Sequence, residues 1–342
     1  LIEVSIENGG STRSDAKFDL DGATGTLAAY ARLGQELGGR KHLTSGEGLQ
    51  LGRTARFFGR HVLVPRLGAA VHVNAFNFPA WGQMEKAACA LLAGAPVIEK
   101  PGTPTALIAW RVAKAVVESG VLPEGAYQFI AGSTGDLLER LGPQDCLAFT
   151  GSSRTAAALR GNANLVSRNV RVNVEADSLN CAILGPDVDR DAESYALFLQ
   201  NVALDMRQKA GQKCTAVRRV LVPRERVEEV EADLVLELER VVVGDPADGA
   251  TTMGPLASRS QLDDVQAGIR RLATAARAAT GGPERTRERG YFVAPTLFVA
   301  RDGADAVFHA EEVFGPVATI LSYSGEAGDA ARLASLGEGC LV

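Results

Sequence analysis

Basic side chains are not in excess in this 342-residue sequence: 36 Lys and Arg stand against 41 Asp and Glu, for a formal charge of −5, and the cations are spread among the acids. That leaves no electrostatic footprint for a nucleic-acid partner. No apolar run reaches the roughly 20 residues that cross a bilayer, and the start of the chain has no charged region followed by an apolar segment. A cytoplasmic protein without membrane contact is expected. Cysteine is scarce: Cys89, Cys146, Cys181, Cys214 and Cys340 are an odd number, widely spaced, without CxxC pairs or histidine-rich neighbours. Neither a disulfide framework nor a zinc site is expected, so the thiols are read as reduced and one of them as reactive. Internal repeats and a GxGxxG turn are also absent.

With 46% hydrophobic and 23% charged residues, the chain can bury a sizeable core and is long enough for two domains. Residues 25–38 have helical apolar spacing ended by Gly38-Gly39. Residues 45–67 mix Gly, Arg and alternating apolar positions, which predicts a β-excursion. From residue 69 short apolar runs alternate with helix-length segments. Strands are predicted at 69–76, 96–98, 127–131, 146–150 and 170–174, with helices at 81–93, 104–119, 137–141 and 155–160 between them. Repeated β-α units of this kind predict a doubly wound parallel sheet, with ligands at the carboxyl ends of its strands. Beyond residue 179 a second α/β unit is expected: helix 191–208, strand 218–222, helix 226–241 and helix 261–279. The glycine- and charge-rich stretch 281–290 reads as a surface loop.

Polar or glycine-containing turns follow the predicted strands. Asn77, in Asn74-Ala75-Phe76-Asn77-Phe78-Pro79, either caps the next helix or offers its amide to a developing oxyanion. Lys100, in Glu99-Lys100-Pro101-Gly102-Thr103, is either solvated or placed to bond a cofactor ribose or phosphate. The turns Gly132-Ser133-Thr134-Gly135 and Gly151-Ser152-Ser153 can cradle phosphate with backbone N–H groups, although each signal alone is weak. Glu175 ends an apolar strand, where a carboxylate is expensive to bury without a role; it is either a general base or the cap of the next turn.

Cys214 lies in Ala210-Gly211-Gln212-Lys213-Cys214-Thr215, among small residues and next to a lysine. A cysteine attacks as its thiolate, and a neighbouring cation favours that form. A small buried cysteine without a role is the competing reading.

Taken together, Asn77-Phe78-Pro79, Lys100-Pro101, Phe149-Thr150-Gly151-Ser152, Glu175, Gly211-Gln212-Lys213-Cys214 and Glu312-Val313-Phe314-Gly315-Pro316-Val317 occur in the order and approximate spacing of the NAD(P)-dependent aldehyde dehydrogenase superfamily. The sequence resembles that family over nearly its whole length. The wording around Asn77, Glu175 and Cys214 is most similar to the CoA-linked semialdehyde dehydrogenases of aerobic phenylacetate and benzoate degradation. The resemblance implies residues 1–44 and 69–177 as the cofactor-binding domain, 45–68 as an excursion that contributes to oligomerisation, and 178–342 as the catalytic domain. It also implies a chain cut at both ends and a homodimer.

For the site, the resemblance implies Cys214 as nucleophile, the Asn77 amide and the Cys214 N–H as oxyanion donors, and Glu175 as the base that activates water. Lys100 would hold the adenosine ribose or its phosphate, Ser152 the pyrophosphate and Glu312 the nicotinamide ribose, with Phe314 packed near the ring. Gly132 and Gly151 belong to the same cofactor turns. Many NAD-preferring relatives carry a glutamate where this sequence has Thr103, and a carboxylate there repels a 2′-phosphate; NADP is therefore the expected cofactor, with NAD as the alternative. Ala176, Asp177 and Ala156 depart from the family's usual glycines. Glu175 argues against the CoA-acylating relatives, which generally lack that base. The competing class is a catalytically silent nucleotide-binding protein on the same frame.

Overall fold

A computed structural model describes residues 1–339 and 341; Cys340, counted above among the thiols, and Val342 lie outside the described residues. The chain forms two compact units, one of Leu1–Phe18 with Asp177–Val342 and one of Asp19–Ala176.

The opening residues form helix α1 (Ile2–Gly9). It stops at Gly10, whose φ of 67° is left-handed. Helix α2 (Arg13–Leu37) is longer than the predicted 25–38 and crosses from the first unit into the second. Residues 1–18 therefore fold with 177–342 and not with 19–44. The reason is packing: a Cβ on Gly10 would meet the Pro255 ring at 2.8 Å, one on Gly254 would meet the Gly10 carbonyl oxygen at 2.2 Å, and the buried Asp15 carboxylate accepts the Lys209 N–H.

The Asp19–Ala176 unit continues with β1 (Leu43–Gln50) and β2 (Phe58–Leu63), an antiparallel pair that accounts for the predicted excursion. Then follow β3 (Ala70–Val73), α3 (Trp81–Leu92), β4 (Val97–Lys100), α4 (Ala106–Glu118), β5 (Tyr127–Phe129), α5 (Leu137–Arg140), β6 (Cys146–Gly151), α6 (Ser153–Arg160), α7 (Ala163–Ser167) and β7 (Arg171–Ala176). Their sheet is parallel throughout and ordered β5-β4-β3-β6-β7. Its strands are short apolar runs because both faces are covered. Ala70 and Val97 point into one core with Met84, Ala87 and Val112, while Val71 and Leu147 point into another with Leu141, Leu165 and Val170. The strand order reverses between β3 and β6, and a crevice at such a reversal is where doubly wound sheets bind dinucleotides.

The other unit adds β8 (Cys181–Ile183), α8 (Glu193–Arg207), β9 (Arg219–Pro223), α9 (Val227–Glu239), α10 (Arg259–Leu272), β10 (Ala276–Thr280), β11 (Thr296–Ala300), α11 (Val307–Ala310), β12 (Val317–Tyr323) and α12 (Ala327–Ser335). Its sheet is ordered β10-β11-β12-β9-β8, with only β10 antiparallel. The helix predicted over 261–279 ends at Leu272, because residues 276–280 are drawn onto the sheet edge by pairing with β11. Leu221 faces one core of this unit and Val220 and Val222 the other.

Candidate active site

Within the Asp19–Ala176 unit the strand ends are tied to one another. The Asn74 N–H donates to the Lys100 carbonyl at 2.9 Å, and the Thr105 hydroxyl donates to the Phe76 carbonyl at 2.6 Å. Gly102 is pressed so closely on this loop that a Cβ would meet the Phe76 nitrogen at 2.6 Å. Below the turn, Glu99 is fully buried and bound at 2.6 Å by both His72 Nδ1 and Asn74 Nδ2. Burial raises its pKa, and the bonds to His72 and Asn74 oppose the rise.

Asn77 is buried in this loop and does not cap α3. That task falls to Asp19, whose carboxylate accepts the N–H groups of Ala80 at 3.1 Å and Trp81 at 2.8 Å. Lys100 closes β4 with its ammonium on the Pro101 carbonyl at 2.8 Å, and Thr103 opens the following turn exposed to solvent. Gly132 has a φ of 97°, with open space where a Cβ would stand, in the turn after the edge strand β5. Gly151 ends β6, and Ser152 caps α6 by accepting the Thr155 N–H. Glu175 is half-buried in β7 opposite Thr150, whose hydroxyl donates to its Oε2 over a long 3.4 Å. It stands one residue before the end of the strand.

The Cys214 loop belongs to the other unit. After α8, Lys209, Ala210 and Gly211 all take left-handed conformations, with φ of 52°, 53° and 69°. For the two residues with a Cβ this costs on the order of 1 kcal/mol each, so the surroundings must impose it. Asp15 takes the Lys209 N–H, and Gln212 Nε2 donates to the Lys209 carbonyl at 2.9 Å while its Oε1 accepts from Ala257 at 3.0 Å. Glycine is required at 211, where a Cβ would lie 2.1 Å from the Gly315 carbonyl oxygen. The half-buried Cys214 follows. Its carbonyl accepts from the Ser178 hydroxyl and from Asn180 Nδ2, the latter at 2.7 Å.

The lysine beside the cysteine does not face the thiol. Its ammonium is bound to Asp205 at 2.6 Å and to Gln208 at 2.8 Å, which corrects the expectation that Lys213 supplies the cation. The cation under the loop is Arg218. Its guanidinium is buried and donates to the carbonyls of Gly211 at 2.8 Å, Lys213 at 3.1 Å and Gly315 at 2.8 Å. It also lies over the Phe314 ring, 5.6 Å from its centroid. Burial pulls its pKa below the ordinary value, opposed by Glu312, Asp205 and Cys214; an arginine nonetheless stays charged in proteins.

Glu312 Oε2 accepts the Ser178 N–H at 3.2 Å, while Oε1 is buried with no hydrogen-bond partner and lies 3.9 Å from Arg218. Burial pushes the Glu312 pKa up to about 7 against the pull of Arg218. An unsatisfied buried acceptor suits a ribose hydroxyl donor, so the residues present fit a nicotinamide cofactor there. Cys214, Glu312 and Phe314 are thus drawn together through Ser178 and Arg218. Asn77, Lys100, Thr103, Gly132, Gly151, Ser152 and Glu175 lie at strand ends of the other unit. Among the described residues no group of three His, Cys, Asp or Glu side chains could hold a metal, and no helix is long and apolar enough to cross a membrane.

Residues 1–335 match the model of the aldehyde dehydrogenase family. The chain is 43% identical over 349 aligned positions to the 3,4-dehydroadipyl-CoA semialdehyde dehydrogenase of Aromatoleum evansii, covering all of this chain and 67% of that protein. The chain belongs to the aldehyde dehydrogenase family. That family consists of NAD(P)-dependent oxidoreductases. Geranial dehydrogenase of Castellaniella defragrans is 34% identical over 274 positions, covering 78% of this aldehyde dehydrogenase chain and 55% of the relative. The chain thus spans between about half and two thirds of the length of these curated relatives.

Among solved structures, the succinic semialdehyde dehydrogenase of Streptococcus pyogenes in complex with NADP+ matches with a TM-score of 0.84 at 22% identity, over 98% of this chain and 70% of that one. An NAD-dependent aldehyde dehydrogenase of Sinorhizobium meliloti gives 0.84 at 24% identity, over 98% and 64%. These likenesses carry the fold.

Sequence reasoning missed Arg218. The one signal for it was a pair of arginines entering an otherwise apolar strand, and nothing in the pattern said which of them turns toward the cysteine loop.

Proposed function

We propose that the whole protein oxidises a semialdehyde at the end of a CoA thioester chain to the carboxylic acid, with NADP as the preferred acceptor. The observation that carries this reading is the Cys214 loop: a half-buried thiol follows three left-handed residues, and the carbonyls on both sides of it are held by Arg218, Ser178 and Asn180. A loop held in a costly conformation by so many partners is characteristic of a functional site. The 43% identity to a CoA-linked semialdehyde dehydrogenase supports the substrate class.

In this reading the Cys214 thiolate adds to the aldehyde carbon, forming the C–S bond, and the new oxyanion is met by the Cys214 N–H and the Asn77 amide. The nicotinamide, when bound, accepts the hydride that leaves that carbon. Glu175 then takes a proton from water as the water attacks the thioester, the C–S bond breaks, and the acid departs. Lys100 and Thr103 receive the 2′-phosphate end of the cofactor, Gly132, Gly151 and Ser152 its phosphate turns, and Glu312 and Phe314 the nicotinamide ribose and ring. The apolar side chains exposed on β1 and β2 and just beyond, among them Leu49, Phe58, Leu63 and Leu67, support a homodimer formed through the 45–68 excursion. A cytoplasmic location belongs to the same reading, on the small and odd number of widely spaced cysteines.

The test is the gain of absorbance at 340 nm in the full-length protein, with a CoA-linked semialdehyde and with a simple aliphatic aldehyde, against NADP and NAD in parallel. Turnover is expected with the CoA-linked substrate, faster with NADP, and none in Cys214→Ala. Cofactor binding without turnover of either aldehyde would return the protein to the silent nucleotide-binding class.

A further inference from the structure

We propose that Arg218 is a positioning residue of the oxyanion hole: through the Lys213 carbonyl it aims and polarises the peptide whose N–H belongs to Cys214. This rests on the reading of Cys214 as the nucleophile.

The Lys213 carbonyl and the Cys214 N–H are two ends of one planar peptide, so fixing the first fixes the direction of the second. Arg218 Nη2 reaches that carbonyl at 3.1 Å and also holds the Gly211 carbonyl at 2.8 Å, while Nη1 holds Gly315. One rigid fork therefore spans the left-handed turn, the peptide before the cysteine and the segment that carries Glu312 and Phe314. The next peptide is anchored independently, by Ser178 and Asn180 on the Cys214 carbonyl. The two anchors differ in charge. A cation on a carbonyl oxygen draws electron density toward that end and leaves the N–H a stronger donor, an effect enlarged where water is excluded.

Loop closure alone does not call for this residue. Burying a guanidinium whose carboxylate neighbour stands off at 3.9 Å without a hydrogen bond is poor stabilisation. Lys213 cannot replace it, being bound to Asp205 and Gln208.

Two reactions of the same thiol separate the effects in the full-length protein. Alkylation of Cys214 by iodoacetamide displaces iodide from carbon and forms no oxyanion. Acylation by p-nitrophenyl acetate passes through a tetrahedral oxyanion before p-nitrophenolate leaves. Compared at a pH where the thiol is fully ionised in both proteins, Arg218→Met is expected to slow acylation by about 10- to 100-fold, short of the roughly 10²–10³ that removing an oxyanion donor outright costs, with alkylation close to the unsubstituted rate. Because Arg218 also attracts the Cys214 charge, the pH profiles of both reactions move together to higher pH. Arg218→Lys keeps the charge without the fork, and an intermediate loss confined to acylation is expected; this variant carries the test if Arg218→Met does not melt cooperatively.

A parallel fall of both reactions would assign Arg218 to loop integrity and overturn the proposal, and so would unchanged acylation. An acylation defect that disappears once the thiol is fully ionised would place its effect on the thiolate instead, with the same consequence. An unsubstituted protein without a Cys214-dependent burst of p-nitrophenolate would defeat the nucleophile reading itself, and this inference with it.

Discussion

Arg218 Nη2 and Glu312 Oε1 stand 3.9 Å apart in a buried setting, and Oε1 has no hydrogen-bond partner. The pair is close enough to interact and too far apart to offset the desolvation of the carboxylate, so burial prevails and the Glu312 pKa lies near 7, above its ordinary 4.5. Between those values the folded chain holds a proton that the unfolded chain releases. The contribution of Glu312 to stability is therefore full below about 4.5 and is lost as pH rises through about 7, by at most on the order of 3 kcal/mol. Melting temperatures of the cofactor-free protein should fall across that window, and Glu312→Gln should flatten the fall. An identical slope in the variant would mean that Glu312 does not titrate there.

Gly211 is held at φ 69° with no room for a Cβ beside Gly315. Because the obstructing atoms are backbone, Gly211→Ala must shift one segment or the other. A loss of about 2 kcal/mol or more is expected, together with slower alkylation of Cys214. Gly25→Ala is the control: it lies in α2 with nothing within 4 Å of a new Cβ, and it should stabilise by about 0.5–1 kcal/mol through helix propensity. Calorimetry of the two variants checks both signs; equal effects would dismiss the steric argument.

The ammonium of Lys213 is bound to Asp205, which also accepts the Val217 N–H at 3.1 Å. Lys213→Gln removes a charge-assisted bond and should cost roughly 2 kcal/mol, with the pH profile of Cys214 alkylation unmoved. If the profile moves toward higher pH, the lysine does act on the thiol.

Thr103 is exposed at the turn after β4, two residues beyond the Pro101 carbonyl that Lys100 binds. Thr103→Glu places a carboxylate where the 2′-phosphate is proposed to lie. The KM for NADP should rise about tenfold or more by charge repulsion, and that for NAD should hold or fall. Steady-state rates with both cofactors decide it, and a proportional rise for both would remove Thr103 from the phosphate site.

The alternation of apolar runs and helical spacing between residues 69 and 176 was legible because a parallel sheet covered on both faces needs continuous apolar strands and amphipathic crossovers. Those periodicities are properties of the local sequence. Cys214, Glu175 and Asn77 could be singled out as candidates from the residues around them, since a thiol, a carboxylate and an amide at turns leave a chemical signature in one dimension.

Three features were not legible. The segment Ala273–Thr280 is rich in alanine, a helix former, yet residues 276–280 become a strand because β11 offers an antiparallel partner at the sheet edge. The helix predicted from residue 25 begins at Arg13 and runs through Gly22, where only a glycine lets it approach the Trp81 ring, a Cβ there lying at 2.2 Å. The cation beneath the cysteine loop is Arg218, four residues on, and not the adjacent Lys213. Sequence fixes which charges are near along the chain, but a three-residue left-handed turn decides which way each side chain faces, and that turn exists only because Asp15, Gln212, Gly315 and Arg218 close around it.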